Sequence, residues 1–257
     1  MRKAFRLIRL MIHLLYGFLV AAVFWPLLGP NWREAIEKRW ARQLLGALQI
    51  RVVAQYESDA AQHTQHRPSL LYSNHVSWLD IFAFNSIEPV TFIAKSEISK
   101  WPIGGTLAKR TGTLFIERGK RHAVRDVIHA AVKVLERKRC VAVFPEGTTA
   151  AGDQPLHFHS NFVQPAIQAG VPVVPVTLQY FSERGEFSTE PAFLGEQTLL
   201  ENIQVLLNSK AGYVVRLYFH NPIPTEGRNR HELSDQAFAS IEKQCALGAA
   251  QGLPPGV

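Results

Sequence analysis

The sequence is poor in cysteine, in charge and in repetitive or low-complexity tracts, and each shortage excludes something. Cys140 and Cys245 are the only cysteines in 257 residues, and they lack metal-ligand spacing. A chain of this length needs no disulfide staple, so the thiols are expected to be reduced, small and buried, in a cytosolic compartment. Charged residues make up 19% and hydrophobic residues 47%, which suits a folded core and leaves little room for extended disorder. No repeat of solenoid length recurs. No G-x-S-x-G pentapeptide is present, so no serine elbow offers itself as a covalent nucleophile. The length suits a single α/β domain, or such a domain with an appended helical element.

Acidic residues are scarcest near the N-terminus. Through Gln55 there are nine Lys or Arg against Glu34 and Glu37, which accounts for the whole net charge of +7. A second basic region, Lys95 to Arg139, holds twelve Lys or Arg and four acids. Leu10 to Gly29 contains no Asp, Glu, Lys or Arg. As a helix of about 20 residues it would reach roughly 30 Å, the thickness of a bilayer's hydrocarbon core. No small-x-small cleavage site follows; Trp25, Pro26, Trp32 and Arg33 come instead, so export is not expected.

Basic residues flank both ends of that run, so the positive-inside rule selects no orientation and both ends are expected to stay cytoplasmic. Asn31 to Ile50 places Ile36, Trp40, Leu44, Leu45 and Leu48 at helical spacing, with Arg33, Lys38, Arg39 and Arg42 on the remaining surface. That pattern fits a helix in the headgroup region, or an ordinary helix packed on the domain. Residues 1–50 are therefore expected to form a membrane-associated helical pair, peripheral or anchored by a single helix, and residues 51–257 the catalytic domain. Positive charge beside an apolar 20-mer fits anionic lipid better than nucleic acid, and no nucleic-acid partner is expected.

Beyond the pair, strand-like runs alternate with helix-like ones. Strands are expected at Gln49 to Tyr56, Ser69 to Ser73, Val90 to Ala94, Thr113 to Glu117, Val141 to Phe144, Val171 to Tyr180 and Tyr213 to Phe219. The clearest helix is His122 to Arg137; others are expected at Ser77 to Asn85, Gly104 to Arg110, Asn161 to Gln168, Glu196 to Asn208 and Ser234 to Leu247. The fold class this implies is α/β, a mixed, largely parallel sheet flanked by helices.

Four short stretches carry chemistry or punctuation. Asn74-His75-Val76-Ser77-Trp78-Leu79-Asp80 follows a strand and opens a helix. Imidazole is basic near neutral pH, and a carboxylate five residues on can bond one ring nitrogen and leave the other to take a proton from a hydroxyl. The same spacing allows a plain reading, because Ser77 with Asp80 three residues later resembles a capping box. The strand ending Glu117-Arg118, with Gly119, Lys120, Arg121 and upstream Lys95, gathers cations able to grip a phosphate or carboxylate, or to sit solvated at the surface. Phe144-Pro145-Glu146-Gly147-Thr148-Thr149 ends another strand in a tight turn with a carboxylate and backbone N–H groups. Gly170-Val171-Pro172-Val173-Val174-Pro175-Val176 reads as a helix stop before a buried strand whose prolines limit its pairing. His157 and His159 form an H-x-H pair without a third ligand, so no metal is expected.

The order of these stretches resembles the glycerolipid acyltransferase family, of the 1-acylglycerol-3-phosphate acyltransferase type, over about Leu70 to Tyr180. The resemblance implies His75 as general base with Asp80 as its orienting partner. It places Asn74, Lys95, Arg118, Glu146, Gly147 and Thr148 at the substrate. It also implies acyl-CoA or acylated carrier protein as donor, a lysolipid such as lysophosphatidic acid as acceptor, no cofactor, and a membrane phospholipid surface at the cytoplasmic face of the inner (plasma) membrane. One departure bears on the acceptor: many members that accept a phosphate head carry Arg after FPEGT, where Thr149 stands here. Phe158 to Asn161 also resembles members that acylate lyso-ornithine lipid. An inactive membrane-bound scaffold would leave no reason for His75 and Asp80 to be intact, and a thioester hydrolase would use water in place of the lipid hydroxyl.

Overall fold

Runs of Val, Ile and aromatic residues become strands wherever both of their faces can be covered. The computed structural model describes residues 2–58, 60, 68–101, 103–117 and 121–254. The strands are β1 (Ile50–Tyr56), β2 (Leu70–Ser73), β3 (Thr91–Lys95), β4 (Leu114–Ile116), β5 (Val141–Val143), β6 (Val173–Ser182) and β7 (Tyr213–Phe219). They form one sheet in the order β1-β7-β6-β2-β5-β3-β4, every pair parallel except antiparallel β6–β7. The mixed, largely parallel sheet expected from the pattern is present, each strand within about two residues of its expected place.

Helices cover both faces. Among the described residues they are α1 (Arg2–Leu19), α2 (Pro30–Ala47), α3 (Asp80–Ile87), α4 (Gly104–Arg110), α5 (Arg121–Glu136), α6 (Gln164–Ala169), α7 (Leu199–Asn208) and α8 (Arg230–Gln251). Period-2 alternation splits each strand between two cores. On β2, Leu70 and Tyr72 face a cluster with Val127 and Leu135 of α5, Ala166 of α6 and Ile241 of α8, while Leu71 faces one with Leu44 and Leu45 of α2, Phe84 of α3 and Leu206 of α7. The apolar N-terminal helix and α2 thus lie on the sheet face opposite α5, α6 and α8.

Three expectations change. The N-terminal helix starts at Arg2 rather than Leu10, and the Arg6 guanidinium donates to the carbonyls of Leu48, Leu206, Leu207 and Ser209, at the C-terminal ends of α2 and α7. A cation satisfying the orphan carbonyls of two helix ends explains why charge is tolerated there. The apolar side of α2 packs on the domain instead of facing headgroups: Leu44, Leu45 and Leu48 are fully buried, and Arg42 donates to the Ser86 carbonyl. Last, β6 pairs on both sides despite Pro175. The β6–β7 ladder begins at Val176, and Pro175 contributes only its carbonyl, to the His220 N–H, so its missing N–H falls where β7 has already ended.

α1 and α2 are zipped together. His13 and Trp40 stack at 4.9 Å, each ring meeting the other residue's carbonyl, and a Cβ on Gly17 would come within 2.3 Å of the Trp40 indole nitrogen. A five-residue π-helical stretch, Val20–Phe24, and a 3-10 turn, Trp25–Leu27, carry the chain past Pro26 into α2.

Candidate active site

Asp80 is the first residue of α3, and the Ser77 hydroxyl accepts from the Leu79 N–H at 3.4 Å just before it. The Asp80 carboxylate turns back onto the preceding loop. Oδ2 accepts from the N–H groups of Val76 (2.8 Å) and Ser77 (3.0 Å) and from His75 Nδ1 (2.8 Å). Oδ1 accepts from the Tyr180 hydroxyl at 2.8 Å. Asp80 is 0% exposed, and both of its oxygens are engaged by these donors. With Nδ1 bound to Asp80, Nε2 is the His75 nitrogen that can take a proton. The imidazole is 20% exposed and stacks on Phe144 at 4.0 Å, nearly parallel, which fixes the ring plane.

The turn after β5 is tied to the same loop. The Ala150 N–H donates to the His75 carbonyl at 2.8 Å, and the Phe193 N–H donates to the Val76 carbonyl at 2.9 Å. Gly147, at φ +67°, lets the chain reverse directly after Glu146. Glu146 is 6% exposed, and burial pushes its carboxyl up to about 8, with the main chain at Leu156 and His75 opposing and Asp80 adding to the rise. Oε1 accepts from the Leu156 N–H, whereas the buried Oε2 has no hydrogen-bond partner among the described residues. His75, Asp80, Phe144, Glu146 and Gly147 therefore converge at the carboxyl ends of β2 and β5, where ligands bind in open α/β sheets.

The other expected substrate contacts are placed differently. Asn74 is buried, its amide closing a pair of hydrogen bonds with the Leu178 N–H and carbonyl. It is a strut between β2 and β6 that sets the His75 loop. Lys95 ends β3, beside Ile116 of β4 and two strands from β2. Thr148 is exposed on the turn. The Thr149 hydroxyl is turned inward onto the Phe193 carbonyl. Arg118 lies outside the described residues.

Tyr180 is the participant that sequence reasoning missed. It sits inside an apolar strand whose hydroxyl-bearing member looks like packing, and only the β2–β6 pairing brings it to Asp80. Burial and the Asp80 charge hold its phenol well above the usual range, so it stays a donor. Burial pushes the Cys140 and Cys245 thiols up to about 11 and about 12. The His157 and His159 rings meet edge to face at 5.7 Å, with no metal-binding group of three or more His, Cys, Asp or Glu among the described residues.

A family model described as Acyltransferase matches residues 54–179. Lyso-ornithine lipid O-acyltransferase of Pseudomonas aeruginosa is 35% identical over 209 residues, 81% of this chain and 78% of that protein. 1-acyl-sn-glycerol-3-phosphate acyltransferase of Neisseria gonorrhoeae is 40% identical over 124 residues, 48% of this chain and 49% of that one. The crystal structure of the 1-acyl-sn-glycerophosphate acyltransferase PlsC from Thermotoga maritima superposes with a TM-score of 0.66 at 20% identity, covering 97% of this chain and all of that chain, a likeness of fold.

Proposed function

The chain belongs to the acyltransferase family, and from that premise we propose that it moves a fatty acyl group from a thioester to the free hydroxyl of a lysolipid at a membrane surface. The observation that carries this reading is the His75–Asp80 pair, with Nδ1 committed and Nε2 left for the acceptor. His75 takes the hydroxyl proton as the oxygen attacks the thioester carbonyl, Asp80 balances the imidazolium, and the proton passes to the departing thiolate. The thioester is already activated, so no cofactor is called for. Glu146, with Oε2 unspent, is suited to hold the acceptor's polar head beside His75.

Lysophosphatidic acid is the first acceptor to test, with Lys95 and Arg118 as the cations for its phosphate. Two observations favour a second reading, lyso-ornithine lipid: Thr149 offers no cation after FPEGT and spends its hydroxyl on Phe193, and the Pseudomonas relative aligns over most of its length. The membrane surface is supported by α1, whose outward side exposes Phe5, Ile8, Ile12, Leu15 and Leu19, and by Leu27 in the turn that follows. Lys3–Leu27 is long and apolar enough to cross a membrane, and only 22% of its apolar window is buried. Both ends of this helix touch the domain, at α7 and α4, which favours a helix lying in one leaflet of the cytoplasmic face over one that leaves the domain to span it.

Labelled acyl-CoA and acyl carrier protein, each offered with a panel of lysolipids, should yield an acylated lipid only when a lysolipid is present. His75→Ala should cut turnover roughly a hundredfold or more while the fold persists. Near-normal turnover by that variant would refute the mechanism, and thioester loss independent of lysolipid would make the protein a hydrolase.

A further inference from the structure

Away from the His75 site, an open groove of about 710 Å³ runs between α5, α6 and the start of α8. Arg125, His129, Asn161, Gln164, Gln168 and Arg230 line it, and no carboxylate does. Arg230 is steadied there by a 2.7 Å bond to the Asn161 amide oxygen, and Glu232, its nearest acid in sequence, is spent on the Asn229 cap. The groove continues into a basic ridge. Arg125, His129 and Lys133 recur every four residues on α5 and Arg137 follows directly after its last residue, all exposed, and the three cations make no ion pair with any described carboxylate. Asp126 stands one i,i+3 step before His129 and Glu136 one such step after Lys133, so the ridge is net positive rather than free of acids.

Twelve residues of helix put about 18 Å between the first and last of these groups. A nucleotide's phosphates would occupy one end of such a ridge, whereas a helix bearing acids along its side matches the whole of it. The ridge also lies on the sheet face opposite α1 and α2, away from the surface proposed for lipid. Positive potential there steers a soluble partner, and its worth falls with salt.

We propose that the groove and the α5 ridge dock the acidic surface of a carrier protein that presents the acyl thioester to His75. This rests on the acyl-transfer reading and names the donor within it. The test compares two donors, acyl carrier protein and acyl-CoA, on the full-length protein and on an Arg125→Glu/Lys133→Glu double variant, at low and high salt. The double variant should raise KM for the acylated carrier protein tenfold or more and flatten its salt dependence, with KM for acyl-CoA within twofold of the unmodified protein. Equal losses with both donors, or unchanged use of the carrier protein, overturn the proposal. So does a double variant that keeps carrier-protein use but loses binding to vesicles containing anionic phospholipid, which would make the ridge a lipid contact. If the unmodified protein uses acyl-CoA and ignores the carrier protein, docking fails while acyl transfer stands; transfer from neither donor removes both.

Discussion

Asp80 gathers four donors, and the one from Tyr180 is the most informative to remove. Tyr180→Phe keeps the ring and strips the hydroxyl from a buried carboxylate oxygen, a change worth roughly 1 to 3 kcal/mol. With one donor fewer on the carboxylate, the His75–Asp80 geometry loosens, and kcat should fall with KM little changed. A lower melting temperature with kcat unmoved would reduce Tyr180 to packing. Glu146 offers a pH test. Its carboxyl is raised from an ordinary 4.5 to about 8, so the stability associated with it is complete below the lower value and lost as pH rises through the higher one. Glu146→Gln keeps the acceptor for the Leu156 N–H and cannot ionise. The variant should therefore gain on the unmodified protein between about pH 5 and 8, on the order of 3 kcal/mol at about 1.4 kcal/mol per unit. Chemical denaturation across that range checks it, and a constant difference between the two proteins would count against the buried acid.

At the level of elements, α1 has two faces in different surroundings. Leu10 packs inward, as do Ala21 and Trp25 in the turns that follow the helix, while Ile12 and Leu19 are exposed. Ile12→Glu/Leu19→Glu should weaken binding to anionic vesicles at least tenfold and leave the melting temperature nearly unchanged; retained binding would place the membrane contact elsewhere. The two helices also mark the limit of what a sequence discloses. The strands were legible because alternation and β-branched runs carry their own signal, and the His75–Asp80 spacing was legible because the two groups are five residues apart. The apolar side of α2 had the same periodicity for lipid as for protein, and only packing against α3 settles which it meets. Asn74, Tyr180 and Arg6 act on partners 100 or more residues away, through Leu178, Asp80 and the end of α7. No local pattern encodes such pairs.

For the molecule as a whole, the helical pair and the sheet share one core. Leu10, Leu44, Leu45 and Leu48 are each at most 2% exposed, and a buried leucine contributes about 1.5 to 3 kcal/mol. Together they match the net stability of an ordinary domain, about 5 to 15 kcal/mol. Removing residues 1–49 should therefore give a protein that melts without a cooperative transition or fails to stay soluble; a cooperative melt near the full-length value would show the remainder to be self-sufficient. The pairing of β1 with β7 adds a matter of timing. Residue Ile50 waits for Tyr213, which leaves the ribosome roughly 160 residues later, an interval of about 8 to 30 s at ordinary rates of synthesis. Through that interval α1 is complete, apolar and without the sheet against which its inner side will rest. On the proposed reading of α1 as a helix lying in a leaflet, its apolar outer side is free to engage a bilayer during that interval, so docking would precede closure of the sheet.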